Sequence, residues 1–323
     1  MKAAVLNALG EAPRCETFPE PEANEGEVLV RVRAAALKPI DVQMASGSHY
    51  AAHQKLPVVC GTDGVGLLPD GTRVFFAAPR SPYGGMAERT VVAKMRCFPL
   101  PASIDDVIAA AVFNPGLSAF GALKWRAQLA PGETVLVLGA TGVTGKLAVQ
   151  TAKLLGAGRV VAAGRNEQVL STLHEFGADA TISLRNTGKE LTETFARESA
   201  GKGFDVIIDY VWGSPIEALL AAITGKDFNP ALSRTRLIQV GESAGATISL
   251  PAAVLRSSRL EILGAGSGNA PTSREAWGEA IQYLLANVVR GTLRVDTERV
   301  ALAEIEPAWG RERHGRRAVI TLF

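Results

Sequence analysis

The segment VLVLGATGVTGK, residues 135–146, constrains the fold of this chain more than any other feature. Its first four residues are all apolar, which is typical of a central parallel strand that is covered on both faces. Gly139, Gly142 and Gly145 follow at intervals of three. A side chain at such positions would prevent the close approach of the backbone to a pyrophosphate, or of a helix to a strand. Residues 146–155 then predict an amphipathic helix, whose N-terminus would attract a phosphate group.

Strand and helix patterns continue to alternate after this segment, which predicts a doubly wound parallel sheet, a Rossmann domain. In that context the glycines indicate a dinucleotide site, although their spacing alone would fit a tight turn without a ligand equally well. The predicted strands lie at residues 160–163, 180–183, 206–209, 237–240 and 260–263, and a helix at residues 167–176 ends at Gly177.

The end of the second predicted strand, VVAAGRNEQ, indicates which dinucleotide binds. NAD-binding chains usually place a carboxylate there to hold the ribose 2′-hydroxyl, but Gly164 occupies that position and Arg165 follows it. Glycine leaves room for a 2′-phosphate, and a guanidinium binds one through paired hydrogen bonds. A solvated surface arginine is the alternative interpretation of Arg165. We expect NADPH as the cofactor.

The first 134 residues are predicted to be β-rich. Residues 27–35 place valines on one face of a strand and both arginines on the other, and residues 71–77 and 87–93 predict further strands. Short strands that are separated by Gly and Pro indicate a partly open barrel. The chain therefore places a barrel-like domain before the nucleotide-binding domain.

The composition limits the classes of protein to which this chain can belong. With 323 residues, of which 47% are hydrophobic, it exceeds the size of a single core, so we expect two domains. The net charge of +2 gives no indication of nucleic acid or an anionic membrane as a partner, and no apolar run reaches the ~18 residues of a membrane-spanning helix. The N-terminus lacks the apolar core of a signal peptide. Cys15, Cys60 and Cys97 form no CxxC pair, which favours a reducing cytoplasm.

Several segments resemble, in their order along the chain, the motifs of one known family. They are LKPIDVQMASG (37–47), LPVVCGTDGVG (56–66), YGGMAERTVV (83–92), FNPGLSAFGAL (113–123), the glycine segment, FDVIIDYVWG (204–213) and HGRRAVITLF (314–323). Over essentially its whole length the chain resembles the medium-chain dehydrogenase/reductase superfamily and, within it, the zinc-independent quinone oxidoreductase (ζ-crystallin-like) branch.

The resemblance implies an α/β fold with a GroES-like, partly open β-barrel as the catalytic domain and a Rossmann domain that binds NADPH. The first would span residues 1–115 and the second residues 116–285, and residues 286–323 would return to the catalytic domain. The resemblance also implies a homodimer and a small-molecule substrate, a quinone or an α,β-unsaturated carbonyl compound. We expect that substrate against the nicotinamide, at the carboxyl ends of the parallel strands.

The resemblance also implies which residues hold the cofactor. The family's cofactor turn has the form AxxGxxG, and Ser118 stands where relatives have a threonine near the nicotinamide ribose. Asn114 falls in the same region as Ser118, and nothing marks its role. The expected cofactor-binding residues are Gly139, Ala140, Thr141, Gly142, Val143, Thr144, Gly145, Gly164, Arg165, Ser118 and Gly241.

Zinc-dependent members of the superfamily bind the metal through a cysteine, a histidine and a further cysteine or acidic residue. The resemblance places that cysteine within residues 38–41, which contain none, and the histidine at the position of Thr62. A threonine hydroxyl is a poor zinc ligand, so we expect no metal. His49 and His53 have the i,i+4 spacing of a metal-binding helix, but their segment predicts a loop, and surface histidines are the favoured interpretation.

Tyr50 and Lys38 are the candidate catalytic residues. Tyr50 follows SGSH, where relatives carry a tyrosine on the substrate side, and its phenol can donate a hydrogen bond or a proton, or simply pack. Lys38 stands where close relatives have asparagine, and it can stabilise an enolate, bind an anionic substrate or point to solvent. Asp41 and Asp63 fall in segments that line the family's cofactor cleft, and for Asp41 we favour a structural role in capping a turn.

Two other functions stay open beside the reductase. GATGVTG also resembles the phosphate loop of short-chain and NmrA-like proteins, but those proteins begin with this strand. Their active members carry a YxxxK pair, which none of the four tyrosines here forms. The second alternative is a protein that binds NADPH as a sensor or a stabilising ligand, because no proton donor is evident beyond Tyr50 and Lys38. Oxidation of bound NADPH by an added enone or quinone distinguishes it from an enzyme.

Overall fold

A computed structural model describes residues 1–199, 203–223, 234–311 and 314–322. The chain divides into two compact units, of which the first comprises Met1–Asn114 with Ile281–Phe323 and the second comprises Pro115–Ala280. From the sequence we predicted the corresponding domain boundaries at residues 115 and 285. The last residue of the HGRRAVITLF segment lies outside the described residues.

Strands dominate both ends of the chain, and strands alternate with helices in its middle. The strands are β1 (Lys2–Leu6), β2 (Arg14–Thr17), β3 (Glu27–Ala36), β4 (Val58–Val59), β5 (Asp63–Leu67), β6 (Arg73–Ala77), β7 (Arg89–Ala93), β8 (Cys97–Pro99), β9 (Thr134–Leu138), β10 (Arg159–Gly164), β11 (Ala180–Ser183), β12 (Val206–Asp209), β13 (Thr235–Gln239), β14 (Leu260–Gly264), β15 (Thr297–Ala301) and β16 (Arg317–Thr321). The α-helices are α1 (Pro39–Ser46), α2 (Asp106–Phe120), α3 (Val143–Leu154), α4 (Glu167–Thr172), α5 (Gly188–Glu198), α6 (Ser214–Ile223), α7 (Ala252–Ser257), α8 (Arg274–Val289) and α9 (Ile305–Ala308). Short 3-10 turns lie at Lys94–Arg96, Leu173–Phe176, Ser267–Asn269 and Leu302–Glu304, and a π-helix lies at Gly121–Arg126.

The second unit contains a six-stranded sheet in the order β11-β10-β9-β12-β13-β14, in which all neighbouring strands are parallel. Val135 and Val137 of β9 pack into one apolar core, and Leu136 and Leu138 pack into another, so both faces of the sheet are covered. All four side chains are fully buried, which is why this strand is an uninterrupted apolar run. The predicted Rossmann domain is confirmed.

The helices of this unit differ from the prediction at their ends. α3 begins at Val143 rather than at residue 146, because Gly142 has extended backbone and serves as its N-cap. The predicted helix at residues 167–176 is α4 followed by a 3-10 turn, and it ends at Gly177, whose φ of 101° lies in the left-handed region.

The first unit is a mixed β structure, as the predicted barrel-like domain requires. Its larger sheet has the order β15-β16-β3-β5-β6-β8, with β7 also paired to β3, and its smaller sheet has the order β2-β1-β4. The neighbouring strands are antiparallel except for β15 and β16. Because β16 pairs with the end of β3, the last described strand of the chain contributes to the same sheet as residues 27–36.

The helical stretch Asp106–Arg126, formed by α2 and the π-helix, is long and apolar enough to span a membrane by length and composition alone. The sequence expectation concerned uninterrupted apolar runs of ~18 residues, and the sequence contains none. A count of consecutive apolar residues misses this helical stretch because Asn114 and Ser118 interrupt the run. Of its most apolar window, 78% is buried inside the protein, as in the core helix of a globular fold.

Candidate active site

The three glycines of the turn after β9 have three different structural roles. Gly139 has a φ of +83°, which favours glycine, and its N–H donates to the carbonyl of Ala163 at 2.9 Å. A Cβ at Gly145 would lie 2.2 Å from the carbonyl oxygen of Gly139, so this glycine permits close packing of α3 on the turn. At Gly142 a Cβ would meet only the Gly139 oxygen, at 3.5 Å, so the space beside Gly142 is open.

The open side of Gly142 lies at the N-terminus of α3, where the helix presents its first N–H groups. The N-cap has no side chain that accepts from them, and the first helical hydrogen bond is donated by Lys146 to the carbonyl of Gly142, at 2.9 Å. The backbone of Val143, Thr144 and Gly145 therefore offers N–H donors and the positive end of the helix dipole. This cradle fits a pyrophosphate, and the turn residues that the sequence predicted, from Gly139 to Gly145, form it.

Thr141 and Gly164, both predicted to bind the cofactor, are in direct contact. A Cβ at Gly164 would lie 2.4 Å from Thr141 Cγ2, so only glycine fits beneath this threonine. The turn thus reaches from the end of β9 to the end of β10.

Arg165 is joined by a second arginine that the sequence interpretation missed. Arg185 follows β11, which pairs with β10, and its Nε donates to the carbonyl oxygen of Arg165 at 2.9 Å. Both arginine side chains are exposed. At the same edge of the sheet the Ser183 hydroxyl donates to the Glu167 carboxylate, so the surroundings of the two guanidinium groups are not purely positive. Arg185 lies two residues after the predicted strand 180–183, but the sequence alone does not show that this strand pairs with the one that ends at Gly164.

Gly241 and Ser118 are both linked to the segment that follows β12. The Gly241 N–H donates to the carbonyl of Asp209 at 3.1 Å, and a Cβ at Gly241 would lie 2.9 Å from the Tyr210 carbonyl oxygen. The Tyr210 side chain lies beside the Ser118 hydroxyl. Burial raises the pKa of the Tyr210 phenol above its usual range, and the Ser118 hydroxyl opposes this shift in part. Residues 209–210 therefore contact two of the segments from which the sequence predicted cofactor contacts, Gly241 through the backbone and Ser118 through the Tyr210 side chain.

Asp209 is a second residue whose importance the sequence interpretation missed. It is fully buried at the carboxyl end of β12, and its Oδ1 accepts hydrogen bonds from the N–H groups of Val211 at 2.8 Å and Trp212 at 3.0 Å. Its Oδ2 is buried and has no hydrogen-bond partner among the described residues. Burial raises the pKa of this carboxyl to about 6, against the lowering effect of the two hydrogen bonds. The sequence feature that could have identified Asp209 is a carboxylate at the end of an otherwise apolar strand, VIID.

Lys38 belongs to a buried network of charges in the first unit. Its Nζ lies 2.9 Å from Asp63 Oδ1, 3.1 Å from the carbonyl oxygen of Ala36 and 3.4 Å from Asp41 Oδ2. Burial by itself lowers the pKa of Lys38, but the carboxylates of Asp41 and Asp63 outweigh it and hold this pKa above its usual range. Lys38 is only 2% exposed, so the interpretation in which it points to solvent was wrong.

Asp41 links the start of α1 to the start of β5. Its Oδ2 accepts from the Lys38 N–H at 2.9 Å, and its Oδ1 accepts from the Thr62 N–H at 3.2 Å. Asp41 is thus a capping residue, in agreement with the structural role favoured from the sequence.

Tyr50 and the two nearby histidines lie in the irregular segment after α1. The Tyr50 side chain is 81% exposed and its ring lies on His49, with ring centroids 4.1 Å apart. His49 and His53 are not on a helix, so their i,i+4 spacing does not place them on one face. The loop predicted for this segment is confirmed.

The residues at the expected metal position do not fit zinc. Lys38 places an ammonium group beside both nearby carboxylates, and the Thr62 hydroxyl is buried without a hydrogen-bond partner among the described residues. A zinc ion needs about four nitrogen, sulfur or carboxylate ligands, and a lysine cation repels it. The described part of the chain holds no group of three or more His, Cys, Asp or Glu side chains that is arranged to bind a metal ion.

Comparisons with known proteins agree with both units. The family described as "Alcohol dehydrogenase GroES-like domain" matches residues 24–102, and the family described as "Zinc-binding dehydrogenase" matches residues 143–285. The solved quinone oxidoreductase of Thermus thermophilus, which was also solved in complex with NADPH, is 32% identical. It superposes with a TM-score of 0.82, and the match covers 100% of both chains.

Two curated relatives show similar identities over part of their length. The quinone oxidoreductase of Lama guanicoe is 32% identical over 202 residues, which is 59% of this chain and 58% of the relative. The chloroplastic NADPH-dependent alkenal/one oxidoreductase of Arabidopsis thaliana is 29% identical over 237 residues, which is 64% of this chain and 58% of the relative. The matched part of the chain thus spans less than two thirds of either curated relative. Because the Thermus protein is matched over its whole length and both units match their families, the chain belongs to the medium-chain dehydrogenase/reductase superfamily, in its quinone oxidoreductase-like branch.

Proposed function

We propose that this protein is an NADPH-dependent oxidoreductase that transfers hydride to a quinone or an α,β-unsaturated carbonyl compound. The observation that carries the proposal is the backbone cradle after β9, in which Gly142 leaves open space at the N-terminus of α3. When bound, NADPH supplies the hydride, so the residues of this chain need only bind and orient the two reactants. The substrate class is inferred from relatives that are named quinone oxidoreductase and alkenal/one oxidoreductase.

The preference for NADPH over NADH rests on the residues at the ends of β10 and β11. Gly164 carries no carboxylate that could hold a ribose 2′-hydroxyl or repel a 2′-phosphate. Arg165 and Arg185 supply two guanidinium groups at this edge, and guanidinium groups bind phosphate through paired, charge-assisted hydrogen bonds. We therefore propose that both arginines contact the 2′-phosphate.

We further propose that no zinc takes part in the reaction. Residues 38–41, where the resemblance places a zinc-binding cysteine, contain none, and Thr62 at the histidine position cannot replace an imidazole. Without a metal ion, the substrate oxygen has to be polarised by hydrogen-bond donors. Tyr50 stays the predicted donor, because its phenol is exposed and can reach an incoming molecule.

A sensor that binds NADPH with little turnover is the second candidate. Lys38 Nζ donates to Asp63 and to the Ala36 carbonyl and forms an ion pair with Asp41, so groups of the protein engage N–H donors that a substrate would need. The Tyr50 side chain is 81% exposed, whereas a positioned proton donor usually lies in a more enclosed site. Both observations favour weak catalysis.

The state of assembly and the location are proposals as well. β14 forms one edge of the six-stranded sheet, and an edge strand has backbone groups on one side with which a second copy can pair. We propose a homodimer that pairs through β14, and light scattering coupled to gel filtration tests it. The three free cysteines support a location in the reducing cytoplasm.

The deciding experiment follows NADPH absorbance with purified protein against quinones, enones and saturated aldehydes of matched size. EDTA is present throughout, and NADH is assayed in parallel. We expect turnover of quinones or enones with NADPH, unchanged by EDTA. Equal turnover with NADH would contradict the role of Arg165 and Arg185. Tight NADPH binding without oxidation by any acceptor would favour the sensor.

A further inference from the structure

We propose that the ammonium group of Lys38 is a built-in cation of the first unit and takes the place of the metal ion that zinc-dependent members of the superfamily bind. Zinc-dependent members of the superfamily place a dication beside this part of the chain, and this protein places a side-chain cation there. This replacement balances the charge of the site whichever substrate binds.

The surroundings of Lys38 Nζ resemble the coordination of a bound cation. Three oxygens approach the nitrogen, from Asp63 at 2.9 Å, the Ala36 carbonyl at 3.1 Å and Asp41 at 3.4 Å. Two of the three N–H donors of the ammonium group bond to Asp63 and to the Ala36 carbonyl, and Asp41 lies at ion-pair distance. All three oxygens belong to the protein, so groups of the chain itself compensate the charge of the cation.

The network is also balanced in charge, although it is buried. Lys38 is 2% exposed, Asp41 3%, Asp63 2% and Arg317 5%, so two positive and two negative side chains share an interior site. Arg317 adds its charge from the start of β16 and donates to the carbonyl of Leu37 at 2.9 Å. Loss of Lys38 would leave two buried carboxylates against one guanidinium, an arrangement that is strongly unfavourable in a low dielectric.

The network connects segments that are distant in sequence. Ala36 ends β3, Lys38 precedes α1, Asp63 begins β5 and Arg317 begins β16. The Asp41 carboxylate receives the N–H groups of Lys38 and Thr62, so it joins two of these segments through the backbone. The Lys38 cation therefore joins the end of β3 to the start of β5, and Arg317 adds the start of β16 through its own bond to Leu37. Holding separate segments together in this way is structural work that a bound metal ion can also do.

The first experiment is chemical rescue of a Lys38→Ala variant. This substitution removes three carbons and the nitrogen, and n-propylammonium has the same atoms. We expect the Tm of the variant to fall by at least about 6 °C, and n-propylammonium to restore half of the loss or more. The control probe, 1-propanol at the same concentration, has the same size without the charge and should restore none of it. Equal effects of the two probes, or an equal effect of n-propylammonium on wild type, would overturn the proposal.

The second experiment keeps the size of the side chain and changes only the charges. Lys38→Met should lower the Tm as Lys38→Ala does, and the double variant Lys38→Met/Asp63→Asn should recover at least half of the loss, because it removes one unbalanced carboxylate. The double variant also keeps the test informative if the single variant does not fold. A double variant no more stable than Lys38→Met would contradict a role of Lys38 as the counter-charge of Asp63.

The third experiment measures metal directly. Wild-type protein dialysed against zinc should hold no stoichiometric zinc by elemental analysis, and neither zinc nor magnesium should raise its Tm. Zinc bound at one equivalent per chain and lost on substitution of Asp41 or Asp63 would show that a metal displaces the ammonium, which would refute the proposal. None of these readouts depends on the oxidation of NADPH, so they stand or fall separately from the proposed reaction.

Discussion

The methyl group of Thr141 packs directly against Gly164, so that a Cβ added at Gly164 would lie 2.4 Å from Thr141 Cγ2 and 2.8 Å from Thr141 Oγ1. The two residues belong to the turn after β9 and to the end of β10. Packing therefore excludes a carboxylate at position 164, because the turn and an acidic side chain would compete for the same space. This reason adds to the electrostatic one, the repulsion between a carboxylate and a 2′-phosphate.

This contact predicts how the cofactor preference can be changed. Gly164→Asp alone should destabilise the second unit by about 1–3 kcal/mol and weaken the binding of NADPH and NADH alike, because the new side chain forces Thr141 out of place. Gly164→Asp with Thr141→Gly should recover stability and bind NADH better than NADPH. Thermal unfolding and the KM for each cofactor check both statements. Thr141→Gly alone is the control, and a single Gly164→Asp variant with wild-type stability would refute the packing argument.

The glycine turn offers a matched pair of variants. Gly145→Ala should destabilise the protein, because its Cβ would lie 2.2 Å from the backbone oxygen of Gly139. Gly142→Ala should change the free energy of unfolding by less than about 0.5 kcal/mol, since its φ of −80° and its open surroundings accept a methyl group. It should nevertheless weaken NADPH binding by tenfold or more, about 1.4 kcal/mol, because the methyl group enters the space of the pyrophosphate. Calorimetric titration measures this, and unchanged affinity would mean that the cofactor does not use the cradle.

The two arginines at the edge of the sheet should control the choice between NADPH and NADH. Arg165→Ala and Arg185→Ala should each raise the KM for NADPH by about tenfold or more, in line with the 1.5–3 kcal/mol of a hydrogen bond to a charged group. The KM for NADH should change little, because NADH has no 2′-phosphate. Arg256→Ala, an exposed arginine of α7, is the control for a general loss of positive charge. A parallel rise in both KM values would exclude a specific role in 2′-phosphate recognition.

The buried carboxyl of Asp209 should make stability depend on pH. Its pKa is about 6 in the folded protein and 3.8 when unfolded, so between these values the folded state binds more protons and loses stability as pH rises. The loss should amount to roughly 2 kcal/mol between pH 4.5 and pH 7, at about 1.4 kcal/mol per pKa unit. Above pH 7 it should stay constant.

Asp209→Asn tests this dependence, because asparagine keeps an oxygen that can accept from Val211 and Trp212 but does not titrate in this range. The difference in the free energy of unfolding between wild type and variant should shift in favour of the variant as pH rises from 4.5 to 7. Chemical denaturation at several pH values measures it. A difference that is independent of pH would mean that the carboxyl is ionised in both states throughout this range.

Much of the fold follows from local patterns in the sequence. Most strands of the parallel sheet contain a short apolar run, and β9, β11 and β12 end where the sequence predicts. The apolar run identifies a strand because both faces of the sheet are buried, and the glycine that follows identifies the turn. The ends of α3 were less predictable, since glycine at position 145 argues against a helix until its packing against Gly139 is known.

The glycine turn after β9 and the position of Gly164 at the end of β10 could be placed from the sequence, because each depends on neighbours within a few residues. Arg185 could not be assigned a role, because its contact with Arg165 exists only when β10 and β11 pair. Lys38 is 25 residues from Asp63 and 280 residues separate Leu37 from Arg317, and only the pairing of β3 with β5 and β16 brings these charges together. Sequence by itself determined the elements and the backbone cradle, since these are local. Tertiary structure alone decided which charges neutralise one another, because electrostatic partners are chosen by distance in space.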